Sequence, residues 1–457
     1  MRNLLQKCFK WQWLFVCIAV GCCFASCKDD EESTSGYDPN KPIVLTDFYP
    51  NEGKLATQVI LNGSNFGNSK ENVKVFFNDK EASVISVKDD RMLVLAPKRA
   101  STVEDPECVV KVQVQEQMGE YNQTFNYYIQ TTVTTLVGGS TSAQVNPTGT
   151  IPLSEAQFRA NIDRCICVDK DKNVFFLVDN DGKFAAFMLN EEADKLISLK
   201  SDINAMFNSP ILGYNSKEGI VYQFWANRDS HDVNYFDPKT DYAPTTAISS
   251  VSWDDSNFPN IEGFGVWAAK CNFTMGPDGK MYSRMLGGNL VRIDVENARG
   301  ENLTNGDLVG TKDGSAYGLV FDPQDENVFY FSNNDKHCIY KYDLRTKEWA
   351  CWAGQEGKSG YLDGPIGQAM FNKPGQMCVD SEGNIILTDT ENHCIRKITM
   401  STGYVSTLAG KPQNSGYVNG SAEDAQFKKP LGICIDNDDV MYIGDSENRA
   451  IRRLAVE

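Results

Sequence analysis

Apolar residues in this chain fall in short runs, many alternating with polar residues at a period of two and broken by Gly, Asp or Asn turns. That pattern predicts β-strands joined by tight turns, with little helix. Towards the C-terminus the pattern repeats at a fixed offset of 56: residues 353–397 align without a gap on 409–453, pairing Gly360 with Gly416, Pro374 with Pro430 and Asn392 with Asn448. Each copy holds an apolar run (MCVD in the first), a turn (SEGN), a second run (IILTD), a polar loop (TENH), a third run (CIRKIT) and a fourth (YVSTLAG). Four short strands in a unit of this length make a propeller blade.

Looser versions of the same two-strand opening start at Cys165, Pro210, Lys270 and Tyr317, which with the two clear repeats predicts six blades. The sixth unit stops after its third run, so its outermost strand is expected from elsewhere. The stretch VTTLVGG at 133–139 reads like VSTLAG at 405–410 and precedes the first blade, so it is expected to close the ring and remove an exposed sheet edge. On these residues, 131–457 resembles a six-bladed NHL-repeat β-propeller, most specifically in the last two blades.

Upstream the pattern changes. Arg2, Lys7 and Lys10, an apolar stretch from Trp11 to Phe24, and Ala25-Ser26 before Cys27 are expected to form a signal peptide over 1–26. The apolar stretch is shorter than the ~20 residues a spanning helix needs. Small residues directly before a cysteine resemble a lipobox, which implies cleavage before Cys27 and lipidation of its thiol; Cys22 is the weaker alternative. Residues 27–41 begin with the acidic run Lys28-Asp29-Asp30-Glu31-Glu32 and are expected to be a flexible tether. The run resembles the export signal of Bacteroidota-type surface lipoproteins, which implies a lipid-anchored protein of the outer membrane facing the cell exterior. From 42 to 130 the chain is all-β without the 56-residue repeat. Phe48-Tyr49-Pro50, Gly63-Ser64-Asn65-Phe66-Gly67, Ala96-Pro97 and Phe125-Asn126-Tyr127 resemble an IPT/TIG domain, which implies an immunoglobulin-like sandwich acting as a spacer. The expected fold class is therefore all-β, a sandwich followed by a propeller.

Net charge is −17, and three cations lie in the leader, so nucleic-acid or anionic-lipid binding through clustered Lys and Arg is excluded as an expectation. The membrane is expected to be met only through the lipid anchor. Of fourteen cysteines, five fall at or before Cys27. Cys165, Cys167, Cys271, Cys378 and Cys434 occupy first-run positions and are expected to be buried thiols, Cys165 and Cys167 on opposite sheet faces. Neither a cofactor nor a metal is expected.

A residue that recurs at one blade position serves the blade. His337 and His393 are such a pair, as are Asp389 with Asp445 and Asn392 with Asn448, where Asx side chains are expected to bond local backbone amides. Tyr361 and Tyr417 are likewise scaffold. NHL-type amidating lyases use several histidines around a metal, and three histidines, two of them repeat-equivalent, do not supply that set; no catalytic residue is nominated. Loops joining strands two and three open on the same propeller face as those joining successive blades. Residues there that break the repeat are the candidate ligand contacts: Trp225, Arg228, His231, Trp253, Trp267, Lys270, Arg284 and Tyr317. Aromatic faces stack on the apolar faces of sugar rings, and Arg, Lys, Asn and Asp bond hydroxyls. The expected function is capture of a glycan or glycan fragment for a polysaccharide-uptake system, beside an outer-membrane transporter complex. A propeller lyase or hydrolase and a protein-interaction scaffold remain open as alternatives.

Overall fold

The computed structural model describes residues 36–97, 107–128, 130–140, 142–179, 183–204, 211–226, 231–248, 252–253, 273–284, 290–304 and 318–456. Cys27 and the leader lie outside the described residues. The chain divides into two compact units, Met1–Ile129 and Gln130–Glu457. Among the described residues helix is limited to short 3-10 turns, and none is long and apolar enough to cross a membrane.

The first unit is an antiparallel sandwich. Val44–Tyr49, Gln58–Ser64, Arg91–Leu95 and Lys80–Lys88 pair in that order, and Lys80–Lys88 also pairs with Val73–Phe77, which continues into Glu107–Val114 and Gln117–Tyr127. Period-two burial is clearest in Glu107–Val114, where Cys108, Val110, Val112 and Val114 face the core and the alternate residues face outward. Phe125, fully buried, meets Phe77 edge-on at 5.1 Å and closes the sandwich.

The second unit is a six-bladed propeller. Its innermost strands are Ile162–Val168, Ile211–Asn215, Thr274–Met275, Leu319–Phe321, Pro374–Val379 and Pro430–Ile435, each at the end of its own sheet. In the sixth blade Thr131–Gly138 pairs antiparallel with Ala450–Val456, burying Val133 and Val137. Gly138 is required there: its φ is +83°, and a Cβ would stand 1.9 Å from the Arg449 carbonyl oxygen.

The turns between first and second strands carry their own locks. Asp436 Oδ1 accepts the amides of Asp438 and Val440 at 2.9 Å each, and Asp380 Oδ1 those of Glu382 and Asn384. Tyrosines on the second strands donate to these turns, Tyr330 to Asp322 at 2.6 Å and Tyr442 to Asp436 at 3.2 Å. Cys165 and Cys167 pack in one cluster, with Ile166 and Val168 in another. Their expected opposite facing is thus corrected: residues two apart on a strand share a face. None of the described cysteines is in a disulfide.

Candidate functional site

In this architecture, loops between second and third strands define an upper face, and the turns between first and second strands a lower one. On the upper face, blades five and six each bury an ion pair. Arg396 Nη1 donates to Asp389 Oδ2 at 2.7 Å, and both side chains are fully buried. The guanidinium also donates to the carbonyls of Met370 and Leu362 and packs between the rings of Tyr361 and Phe371 at 4.9 and 5.1 Å. Asp389 further accepts from Asn392 and from the amide of Asn372, so its backbone partner is distant in sequence, not local as expected. Arg452, Asp445, Asn448, Tyr417 and Phe427 repeat the arrangement. Burial raises Asp389 and Asp445 to about 6, against the lowering effect of the arginine and the hydrogen bonds.

The histidines are used in the same structural way. His337 Nδ1 accepts the amide of Lys373 at 3.1 Å and His393 Nδ1 that of Lys429 at 3.2 Å, and burial lowers both pKa values. Lys373, Glu391, Lys429, Glu447 and Lys428 form a chain of ion pairs from 3.0 to 3.9 Å. The upper rim of blades five and six thus directs these side chains at its own backbone and at one another.

Blade three departs from this at Arg284. Strand register makes Arg284 equivalent to Ser332, Thr388 and Gly444, since each lies two residues beyond Tyr282, Tyr330, Ile386 or Tyr442 on its second strand. Ser332 and Thr388 each donate to an inner-strand carbonyl of the next blade, Gly375 at 2.7 Å and Leu431 at 3.1 Å. Arg284 puts a fully buried guanidinium at the same place.

Of the other sequence candidates, Trp225 lies near the upper end of Ile220–Ala226, opposite Asp232, and His231 opens the neighbouring strand opposite Ala226. These two and Arg284 share the upper end of adjacent blades. Trp253 does not: Ser252–Trp253 pairs parallel with Arg299 and Gly300 at the start of the outermost strand of blade three, on the outer, lower side. Arg228, Trp267, Lys270 and Tyr317 lie outside the described residues.

Sequence reasoning passed over Gln376. Its Oε1 accepts the amides of Ile166 at 3.1 Å and Ile433 at 3.2 Å, while Nε2 donates to the Ile166 carbonyl at 2.7 Å. Inner strands are sheet edges whose backbone groups face the central channel. Gln376, from blade five, therefore satisfies edges of blades six and one across it. Gly318 and Gly432 hold the equivalent positions, so the break in the repeat was its one visible signal. Below Gln376 the channel widens into a cavity of about 420 Å³. Among the described residues no group of three or more His, Cys, Asp or Glu is placed to hold a metal ion.

The fold defines an all-β protein with an IPT/TIG sandwich and a six-bladed propeller. The IPT/TIG domain model matches residues 43–127 and the NHL repeat model residues 371–398. The crystal structure of a structural-genomics protein of unknown function from Bacteroides thetaiotaomicron VPI-5482 is similar with a TM-score of 0.68 and 24% identity, covering 93% of this chain and 100% of that one. An auxiliary nutrient binding protein from Bacteroides ovatus ATCC 8483 is similar with a TM-score of 0.62 and 21% identity, covering 93% and 100%. Protein SUPPRESSOR OF QUENCHING 1 of Arabidopsis thaliana is 25% identical over 271 residues, 55% of this chain, which spans 25% of that relative's length.

Proposed function

We propose that this chain is a lipid-anchored surface protein of the outer membrane that captures a glycan or glycan fragment on the upper face of blades two and three. In this reading Cys27 carries the lipid, the IPT/TIG domain is the spacer, and the captured sugar passes to a neighbouring transporter. One observation carries the site: Arg284 puts a charged side chain where the other blades have Ser332, Thr388 and Gly444 or the apolar Leu177 and Phe224, at the upper end of a blade whose neighbour carries Trp225 and His231 on its strands. A buried guanidinium, with five N–H donors in a fixed fork, is suited to hydroxyl and carboxylate oxygens. The self-satisfied rims of blades five and six direct the search away from those blades. Support for nutrient capture comes from solved structural neighbours named auxiliary nutrient binding proteins.

The test is affinity electrophoresis of the purified protein against a panel of polysaccharides, with assays for new reducing ends and unsaturated products. The expected result is retardation by a glycan without products, weakened at least tenfold in apparent affinity by Trp225→Ala and by Arg284→Lys. Product formation would replace capture with a lyase or hydrolase. Absence of retardation across the panel removes the glycan reading, and retardation unchanged in both variants removes this site. Loss of radiolabelled palmitate incorporation in Cys27→Ala checks the anchor separately.

A further inference from the structure

The lower end of the central channel has features that the proposed upper-face site does not use. Register places one residue of each innermost strand in a single layer at the lower mouth: Val168, Tyr214, Met275, Phe321, Val379 and Ile435. All six are apolar or aromatic, and five of them are partly exposed. They form a collar around the 420 Å³ cavity, which is bounded above by Gln376 and below by the turn residues Asp322 and Pro323. Its size suits a small molecule.

Charge around the collar is uneven. The turns at 322–327, 380–384 and 436–440 carry three, two and three carboxylates and no lysine or arginine, whereas those at 169–173, 215–219 and 276–280 carry four carboxylates matched by Lys170, Lys172, Lys217 and Lys280. Arg345, Lys397 and Lys172 reach in to pair with Asp325, Asp380 and Asp438, which leaves an excess of negative charge. The first aspartates of these turns are held by their own loops, but their charge still sets the potential at the opening. An apolar collar containing Tyr214, Phe321 and the Met275 thioether, under a negative rim, complements a cation that carries its charge on an apolar body.

We propose that the lower mouth of the propeller is a binding site for an organic cation of the alkylammonium class. The aliphatic part lies inside the collar and the ammonium stays at the acidic rim. Gln376 bounds the cavity above on the side of blades one, five and six.

Isothermal titration calorimetry of the full-length protein with octyltrimethylammonium, octyl sulfate and octyl glucoside, each below its micellar concentration, tests this. The cation is expected to bind at least tenfold more tightly than the other two, and its affinity to fall as salt is raised. Val379→Trp, which fills the collar, and Ile435→Lys, which places a competing cation in it, are expected to abolish binding. The paired surface changes Glu382→Gln and Asp438→Asn leave the core untouched; together they are expected to weaken the cation at least threefold and leave the glucoside unchanged. Equal binding of all three probes, no binding of the cation, or affinity insensitive to the surface pair would overturn the proposal.

Discussion

Arg452 and Asp445 show how a single residue pair stabilises a blade. Both side chains are fully buried, 2.8 Å apart, and their shell includes Asn448, Asn419, the Lys428 amide and two backbone carbonyls. Removing one partner strands the other charge, so Arg452→Met is expected to cost about 3–5 kcal/mol in chemical denaturation, and adding Asp445→Asn to recover part of that loss. Asp445 also sets a pH dependence. Its folded pKa of about 6 lies above the unfolded value near ~4, so the folded state binds the proton more tightly between the two. The stability this proton contributes is fully present below the unfolded value and is lost as pH rises through the folded one. The stability of the native chain relative to Asp445→Asn is therefore expected to fall by roughly 2–3 kcal/mol between pH 4 and pH 7. Unfolding curves for both proteins that run parallel over this range would place the carboxyl's titration outside it.

At the scale of the element, the strand Thr131–Gly138 is the one that joins the two ends of the ring. It supplies seven register partners to Ala450–Val456, and Val133 and Val137 reach the cores on either side of the sixth blade. Val133→Asp puts an unpaired charge at a position with 0% exposure and is expected to cost at least ~3 kcal/mol. It also frees the edge of Ala450–Val456, so concentration-dependent self-association by size-exclusion chromatography should accompany the loss. A monomeric, equally stable variant would mean that the ring holds without this strand. The blades were legible in sequence to the extent that the repeat kept its special residues. Gly360 with Gly416 hold the same loop and Pro374 with Pro430 open the same innermost strand, whereas the early blades showed only two apolar runs around a turn. Trp253 could not be placed that way, because a parallel pairing with Gly300 leaves no mark in local periodicity. Arg396 and Arg452 did leave one: each interrupts an apolar run 56 residues from its counterpart, at an inward-facing strand position.

For the whole propeller, the inner strands of neighbouring blades face each other without ladder hydrogen bonds, and the seam between sixth and first blades is one of these. Gln376 spans that seam from a third blade, and its amide contacts both Ile166 and Ile433. The linear chain marks it only as one polar side chain where the repeat has Gly432, with no sign of which strands it spans. The same crowding that lets inner strands approach is visible at Gly318, where a Cβ would lie 2.7 Å from the Met377 amide nitrogen. If Gln376 pins the seam, Gln376→Ala should free the Ile166 and Ile433 amides and speed their hydrogen exchange by about fivefold, as expected for losing a bond worth roughly 1 kcal/mol. The Ile443 amide, in the second strand of the sixth blade, should be unaffected. Gln376→Glu keeps the acceptor oxygens but loses the donor to the Ile166 carbonyl, so its exchange should fall between the two. Unchanged protection of Ile166 and Ile433 in the alanine variant would mean that the inner strands alone keep the ring closed; equal acceleration at Ile443 would mean that the substitution loosens the blade rather than the seam.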